Sequence, residues 1–320
     1  MDTYPSDSYK KRTDFVSGFL VQDPTNNGEH YIHEFVPSPH STTIDLKFLP
    51  HRARIVATNE QGLAVFEAPH SRFHRTVLYH VCKLTTKQVL ALPNPKTRMF
   101  QTAMVAVVTI GSNPLHYKIL RLSETSFTTS EKPVRLPFTY NCEIFDSKEW
   151  EWKVLAPLAL PYGVTPANTE PITTSSGSIY MLLTNGDILK FDANSGKQTT
   201  LSPPPDYQPD DDHTRLVKCE GKLGLAFRTP NDSWEIWVHT NDGSWMKLCS
   251  LDLNRITKRA QSSLVSFYDS DTFIISKDYD KLAFYKFTRD MDQEIKLSKI
   301  LTGQIFSLHS DFETVNLKDR

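Results

Sequence analysis

The chain has 320 residues, with 36 Lys plus Arg, 37 Asp plus Glu and a formal net charge of −1. That balance excludes any general attraction to nucleic acid or to an anionic membrane, so neither is expected as a partner. Hydrophobic residues make up 39% and aromatics 11%, enough for a substantial core, while 20 prolines against 12 glycines mean many turns and few phosphate-cradling loops.

Residues 1–14 are polar and charged, show no helical or strand period, and are expected to be a flexible tail. Order is expected to begin at Phe15. From there, short runs rich in Val, Ile, Leu, Phe and Tyr alternate with clusters of Pro, Asn, Asp, Gly and Ser, the pattern of strands joined by turns. In chain order the clearest strands run from Ile55 to Ala57, Leu63 to Glu67, Val77 to Cys82, Met104 to Ile110, Tyr117 to Leu122 and Cys142 to Phe145. They continue from Trp152 to Leu155, Ile179 to Leu183, Ile188 to Asp192, Leu223 to Arg228, Trp234 to His239, Trp245 to Cys249, Thr272 to Ser276 and Lys281 to Phe287. Helix is limited to a turn within Leu251 to Ala260.

A unit of strand, tight turn, strand and Leu-Pro or Ser-Pro stop recurs. It is clearest from Tyr79 to Pro93 and from Ile188 to Pro203. Asn185-Gly186, Asn194-Ser195-Gly196 and Asn241-Asp242-Gly243 supply residues that tolerate positive φ, as tight hairpins demand. The strands group into units near 50–95, 100–157, 172–205, 213–250 and 262–300, with 15–48 as a further unit or part of a closing blade. Hairpins that cannot bury their own faces must stack, and a spacing of ~45 residues fits four-stranded blades. The fold expected is all-β, a β-propeller of about six four-stranded blades over 15–310, with 311–320 as a second flexible tail. Trp150, Trp152, Trp234, Trp237 and Trp245 lie in or beside strands and are read as wedge-filling packing rather than a ligand cage. Pro93, Pro95, Pro157, Pro161 and Pro203 to Pro205 are read as stops that turn the chain toward the next blade.

Candidate chemistry is sparse. Gly221-Lys222-Leu223-Gly224 is too short for a nucleotide loop and reads as a turn. His70 and His74 are four apart, but Pro69 and the flanking strands argue against the helix a zinc motif needs. His30, Tyr31 and His33 lack third and fourth metal ligands. Asp210-Asp211-Asp212 reads as a solvated loop, and the pairs Asp278 with Asp280 and Asp290 with Asp292 as hairpin turns. The basic groups Lys10-Lys11-Arg12 and Arg52 with Arg54 lack interleaved aromatics. Asn231-Asp232-Ser233 is a formal glycosylation sequon in a turn. Cys82, Cys142, Cys219 and Cys249 form no C-x-x-C pair and are expected as buried thiols. With no apolar leader or 18-residue apolar run, the expected location is cytoplasmic and/or nuclear. No cofactor, metal site or catalytic residue is assigned.

Several phrases together resemble the F-box associated domain of plant F-box proteins, a kelch-like β-propeller. The family phrase aromatic-x-V-C-N-P-x-T-K-Q, then Leu-Pro and Pro, is met by Tyr79, Val81, Cys82, Thr85 or Thr86, Lys87, Gln88, Leu92, Pro93 and Pro95. Lys83 and Leu84 stand where Asn-Pro is expected, so the turn there is altered. Tyr117 to Leu122 followed by Cys142 to Trp152, Gly177 to Asp192, and Gly221 to Val238 resemble later phrases, covering roughly residues 16 to 300. The resemblance implies a non-enzymatic module that recruits a protein substrate to an SCF ubiquitin ligase through the Skp adaptor and cullin. The helical F-box that contacts the adaptor finds no counterpart in residues 1–14, so a truncated or competing form, without the module that contacts the adaptor, is expected. Partner-binding residues are left unassigned.

The rival expectation is a propeller hydrolase of the sialidase or glycosidase kind. Thr240-Asn241-Asp242-Gly243-Ser244-Trp245 resembles an Asp-box turn, but it occurs once and such turns are structural. No G-x-S-x-G elbow is present. An apolar or uncharged channel mouth would argue against this rival.

Overall fold

Phe273 and Ile275 bury against one neighbouring sheet while Ile274, between them, buries against the other. A strand apolar on both faces needs a sheet on each side, and a ring of radial sheets supplies that for every blade at once. The structure, a computed structural model, describes residues 15–25, 30–39, 41–71, 74–125, 138–174, 176–208, 213–219, 221–231, 233–253, 255, 262–267, 272–277, 280–286, 291–297 and 304–318.

These residues form 24 antiparallel strands in six sheets. Blade 1 contains β1 (Phe15–Pro24), β2 (Tyr31–Pro37) and, from the far end of the chain, β24 (Gln304–Asp311). Blade 2 is β3 (Arg54–Thr58), β4 (Leu63–Ser71), β5 (His74–Lys83) and β6 (Gln88–Ala91). Blade 3 is β7 (Thr102–Ser112), β8 (Leu115–Glu124), β9 (Phe138–Asp146), β10 (Glu151–Val154) and β11 (Leu158–Leu160). Blade 4 is β12 (Ile172–Thr173), β13 (Ser178–Leu182), β14 (Ile188–Asp192) and β15 (Gln198–Leu201). Blade 5 is β16 (Thr214–Cys219), β17 (Lys222–Arg228), β18 (Trp234–His239) and β19 (Trp245–Leu251). Blade 6 is β20 (Ser262–Phe267), β21 (Thr272–Lys277), β22 (Lys281–Lys286) and β23 (Met291–Lys296).

The innermost strands adjoin in the order β24, β3, β7, β12, β16, β20 and surround a central channel. One apolar cluster fills each of the six gaps between blades. Blades 2 and 3, for example, share Val65, Tyr79, Val81, Tyr117, Ile119, Phe145 and Trp152, and blades 6 and 1 share Phe19, Val21, Ile274 and Phe284. The tryptophans pack as expected: Trp234 is buried, and the indole N–H groups of Trp152 and Trp245 donate to the carbonyls of Pro93 and Ser202.

The six blades agree with the repeat, with two local departures from four strands each. In blade 3, β10 and β11 pair with successive stretches of the same strand, β9, and are halves of one outer strand broken at Ala156-Pro157. Pro157 therefore interrupts pairing, and the chain resumes it at Leu158 instead of leaving for the next blade. The closing blade has three strands among the described residues, because 15–37 needs 304–311 to complete it.

The segment after residue 310 corrects the expectation of a tail at 311–320. β24 runs through Asp311, and the chain beyond it lies over the ends of blades 2 and 3. Gln88 exchanges hydrogen bonds with the backbone of Val315, and the Tyr117 hydroxyl donates to Leu317 O at 2.8 Å. Leu317 is buried in the cluster between those blades, and the Lys318 ammonium sits 4.7 Å above the Trp150 ring. A few anchoring side chains, not composition, decide that this polar stretch is ordered. Residues 1–14 and 319–320 lie outside the described residues.

A chain stopped after residue 303 lacks the innermost strand of blade 1 and is expected to show no cooperative melt by circular dichroism. A chain stopped after residue 311 is expected to melt cooperatively but with about 2–3 kcal/mol less stability, the burial of Leu317 and its neighbours.

Candidate functional site: the central channel and its mouth

An innermost strand has no sheet partner on its channel side, so its outward-turned N–H and C=O groups must be met by side chains or water. In blade 4 the chain meets this demand across the channel. Pro166 bridges Leu183, and pairing resumes at Ile172 with Tyr180, six steps on this strand against three on β13. The extra residues, Asn168-Thr169-Glu170-Pro171, bulge into the channel toward blade 1, the blade diametrically opposite.

Glu170 receives a hydrogen bond from the Thr58 hydroxyl at 2.9 Å and another from the Ser307 N–H. The same Thr58 hydroxyl also lies 3.0 Å from Ser307 O, so Glu170 and Thr58 together cap the free edge of β24. Burial pushes the Glu170 carboxyl up to about 7, and the two hydrogen bonds only partly oppose the shift. Asn168 reaches Gln304 at 3.4 Å, a second link between opposite blades.

At the rim where the innermost strands end, Glu60 of blade 2 meets Lys218 of blade 5 at 2.6 Å, again across the channel. Lys218 also donates to Thr173 O at 3.2 Å. The Glu60 turn is shaped by Asn59, whose carbonyl oxygen accepts from the N–H groups of Gln61 and Leu63 and whose amide donates to Thr109. Gly62 follows at φ +76°, and a β-carbon there would lie 2.0 Å from Ser310 Oγ, so this turn and β24 fit only with glycine. Between Glu60, Gln61, Thr109, Ser112, Thr174 and Lys218 lies a half-open cleft of about 190 Å³.

A second polar constellation lies between blades 2 and 3. Arg121 and Glu143 are fully buried and paired at 3.1 Å. The guanidinium also donates to Tyr79 and Thr102 hydroxyls, to Thr97 and to Phe100 O. Glu143 accepts from the N–H groups of Lys96 and Thr97 at 2.7 and 3.1 Å. Both side chains are thus spent on holding the crossover from β6 to β7, a structural role with no open valence for a ligand.

Residues 80–312 match the F-box associated beta propeller domain. The chain belongs to that family. A stretch of 47 residues, 15% of this chain, is 53% identical to the F-box protein At5g41720 of Arabidopsis thaliana and covers 25% of that protein's length. The crystal structure of TolB from Acinetobacter baumannii superposes on 93% of this chain and 66% of its own with a TM-score of 0.53, at 12% identity, a likeness of fold alone.

The family's phrases prove to be the inter-blade fastenings. Tyr79, Arg121, Glu143 and Trp152 all belong to the contact between blades 2 and 3. Where the family phrase has Asn-Pro, Lys83 pairs with Asp311 and Leu84 is fully buried, so the altered turn is used to dock the carboxyl-terminal strand. Thr85 adds hydrogen bonds to Ser310 and to Asp311 O.

Other singled-out residues stay apart from the channel. His33 bonds Gln22, whose amide also bridges Ile55 N and O; burial lowers the His33 pKa to about 4. The backbone of His70 and His74 lies in β4 and β5, so no helix presents them together. Asp242 accepts from Ser244 N and from the Thr240 and Ser244 hydroxyls, which hold its carboxyl down at about 2 in a purely structural turn. Gly221 is a turn residue at φ +76°. Cys82, Cys142 and Cys219 are buried thiols and Cys249 is half-buried. Arg54 pairs with Glu67 at 2.9 Å and Asp280 with Lys296 at 3.9 Å. Asn231 and Ser233 flank a turn in which Thr229 N donates to Ser233 O. Lys10 to Arg12, Asp210 to Asp212, Asp278, Asp290 and the side chain of Asp292 lie outside the described residues. Among the described residues, no three His, Cys, Asp or Glu are grouped to hold a metal ion. The sequence reading missed Glu60, Glu170 and Lys218; the one signal available was Asn-Thr-Glu-Pro inside an otherwise strand-forming stretch.

Replacing Glu143 with Ala leaves Arg121 buried without its counter-charge and is expected to destabilise the fold by about 3–5 kcal/mol in urea titrations, while R121M/E143L recovers most of the loss. For Glu170, both folded and unfolded chains are protonated well below pH 4.5. Between there and about 7 only the unfolded chain ionises, so stability falls as pH rises and levels off above 7. E170Q, which mimics the neutral acid, is expected to gain on wild type from pH 5 to pH 8 by up to about 3 kcal/mol, less where channel water screens the carboxylate.

Proposed function

We propose that this protein is the substrate-recognition propeller of a plant F-box type SCF ubiquitin ligase subunit, a non-enzymatic, kelch-like module that binds a protein partner at its channel rims. The observation that carries this reading is the match of residues 80–312 to the F-box associated beta propeller domain. The channel architecture supports it. Rigid blades hold the turns at each rim in place, and a few anchored side chains there suffice for specificity. Four thiols without a disulfide suit a reducing compartment, the cytoplasm and/or nucleus.

A hydrolase reading draws on two observations. The mouth is charged rather than apolar, and Glu170 has the acidity of a general acid. Against it, Glu60 and Lys218 neutralise each other, and Glu170 is tied to Thr58 and Ser307 with no second carboxylate bonded beside it. A glycosidase needs two carboxyl groups facing one bond.

Affinity capture of the tagged chain from plant tissue, read by mass spectrometry, tests the proposal. A stoichiometric protein partner recovered with the Skp adaptor and cullin is the expected result. Turnover of sialoside or glycoside substrates that is abolished by E170Q, with no protein partner recovered, would overturn it.

A further inference from the structure

The cleft at the channel mouth is covered on one side by an ion pair whose two members are unequally held. Its walls come from four blades: Glu60 and Gln61 from blade 2, Thr109 and Ile110 from blade 3, Thr174 from blade 4 and Lys218 from blade 5. Lys218 is the fixed member. Its side chain is only 21% exposed, and its ammonium donates to Thr173 O at 3.2 Å, which ties it to the backbone of the neighbouring blade. Glu60 is the loose member. It reaches Lys218 at 2.6 Å with a side chain 56% exposed, from the tip of the turn that Asn59 shapes.

An ion pair with one member largely in water adds little to stability, so Glu60 can turn out to solvent at small cost. Lys218, mostly buried and bonded to Thr173, cannot follow it. We propose that the cleft is a receptor for a carboxylate side chain of a bound protein, and that Glu60 holds the Lys218 ammonium until that carboxylate replaces it. The chemistry of the occupant is read from the group already there, a carboxylate on the ammonium. The cleft of about 190 Å³ has room for a side chain beside Lys218. The Thr109 hydroxyl, which accepts from the Asn59 amide, keeps its own proton to donate, and half-buried Ile110 offers an apolar wall to the methylene stem of a glutamate. A brace across the channel and an exchangeable cover differ in one respect: neutralising Glu60 weakens a brace but opens a receptor. The inference rests on the partner-binding reading above and gives that partner a chemistry, an exposed acidic side chain.

The test titrates the full chain with acetyl-Gly-Glu-Gly-amide and its Gln counterpart at matched ionic strength, read by ligand-observed NMR. The Glu peptide is expected to bind wild type, to bind E60Q about fivefold more tightly and to lose measurable binding to K218Q, while the Gln peptide binds none of these chains. Equal binding of the two peptides, wild-type affinity in K218Q, or no binding of the Glu peptide even to E60Q overturns the receptor. If E60Q binds no more tightly than wild type, or melts well below it, the pair is a structural brace and the exchange falls. Capture of a protein partner by K218Q at wild-type yield would remove this inference while leaving the partner-binding reading intact. Peptide binding that depends on Lys218, with no partner captured by wild type, would do the reverse.

Discussion

Pairing of β1 with β24, from Phe15 with Asp311 to Gln22 with Gln304, is the constraint on which the rest of the molecule depends. It joins segments nearly the whole chain apart, so its loop-closure entropy is large, and the pairing is stable only when every intervening blade is in place. In return it covers the two apolar sheet faces that an open stack of blades would leave exposed at its ends. It also fixes the radius of the ring. The cross-channel contacts of Glu170 and Glu60 span opposite blades and form only if the ring closes at this size.

Polar groups inside the molecule divide by how completely they are satisfied. Arg121 and Glu143 exchange charge with each other and exhaust their hydrogen bonds on the crossover between blades 2 and 3. Gln22 does the same on a smaller scale between blades 1 and 2. Not every buried polar atom is met in this way: Arg215 Nε, His80 Nδ1 and Thr169 Oγ1 have no hydrogen-bond partner among the described residues.

The blade borders were legible because they are local. Period-two apolar runs and turn residues at Gly186, Gly196 and Gly243, all at positive φ, mark each hairpin without reference to the rest of the chain. What was not legible depends on distant partners. The strand Gln304–Asp311 alternates Phe306, Leu308 and Ser310 inward, yet its partner lies at the other terminus, and nothing nearby announces the pairing. Leu317 likewise looks like an isolated leucine in a polar stretch until Tyr117 meets it. The channel residues were missed for a further reason. Glu60, Glu170 and Lys218 come from three blades, and their spacing along the chain carries no motif. Arg121 and Glu143 were visible only as parts of family phrases, and their role emerged from geometry.

The same terminal pairing sets the direction in which the protein can be attached to anything else. Phe15 lies beside Asp311 at the end of β24, next to the Gly62 turn and therefore on the rim that carries the cleft. The start of β1 and the end of β24 thus share one side of the ring with the cleft, while the opposite rim, where the innermost strands begin, carries neither chain end of this pair.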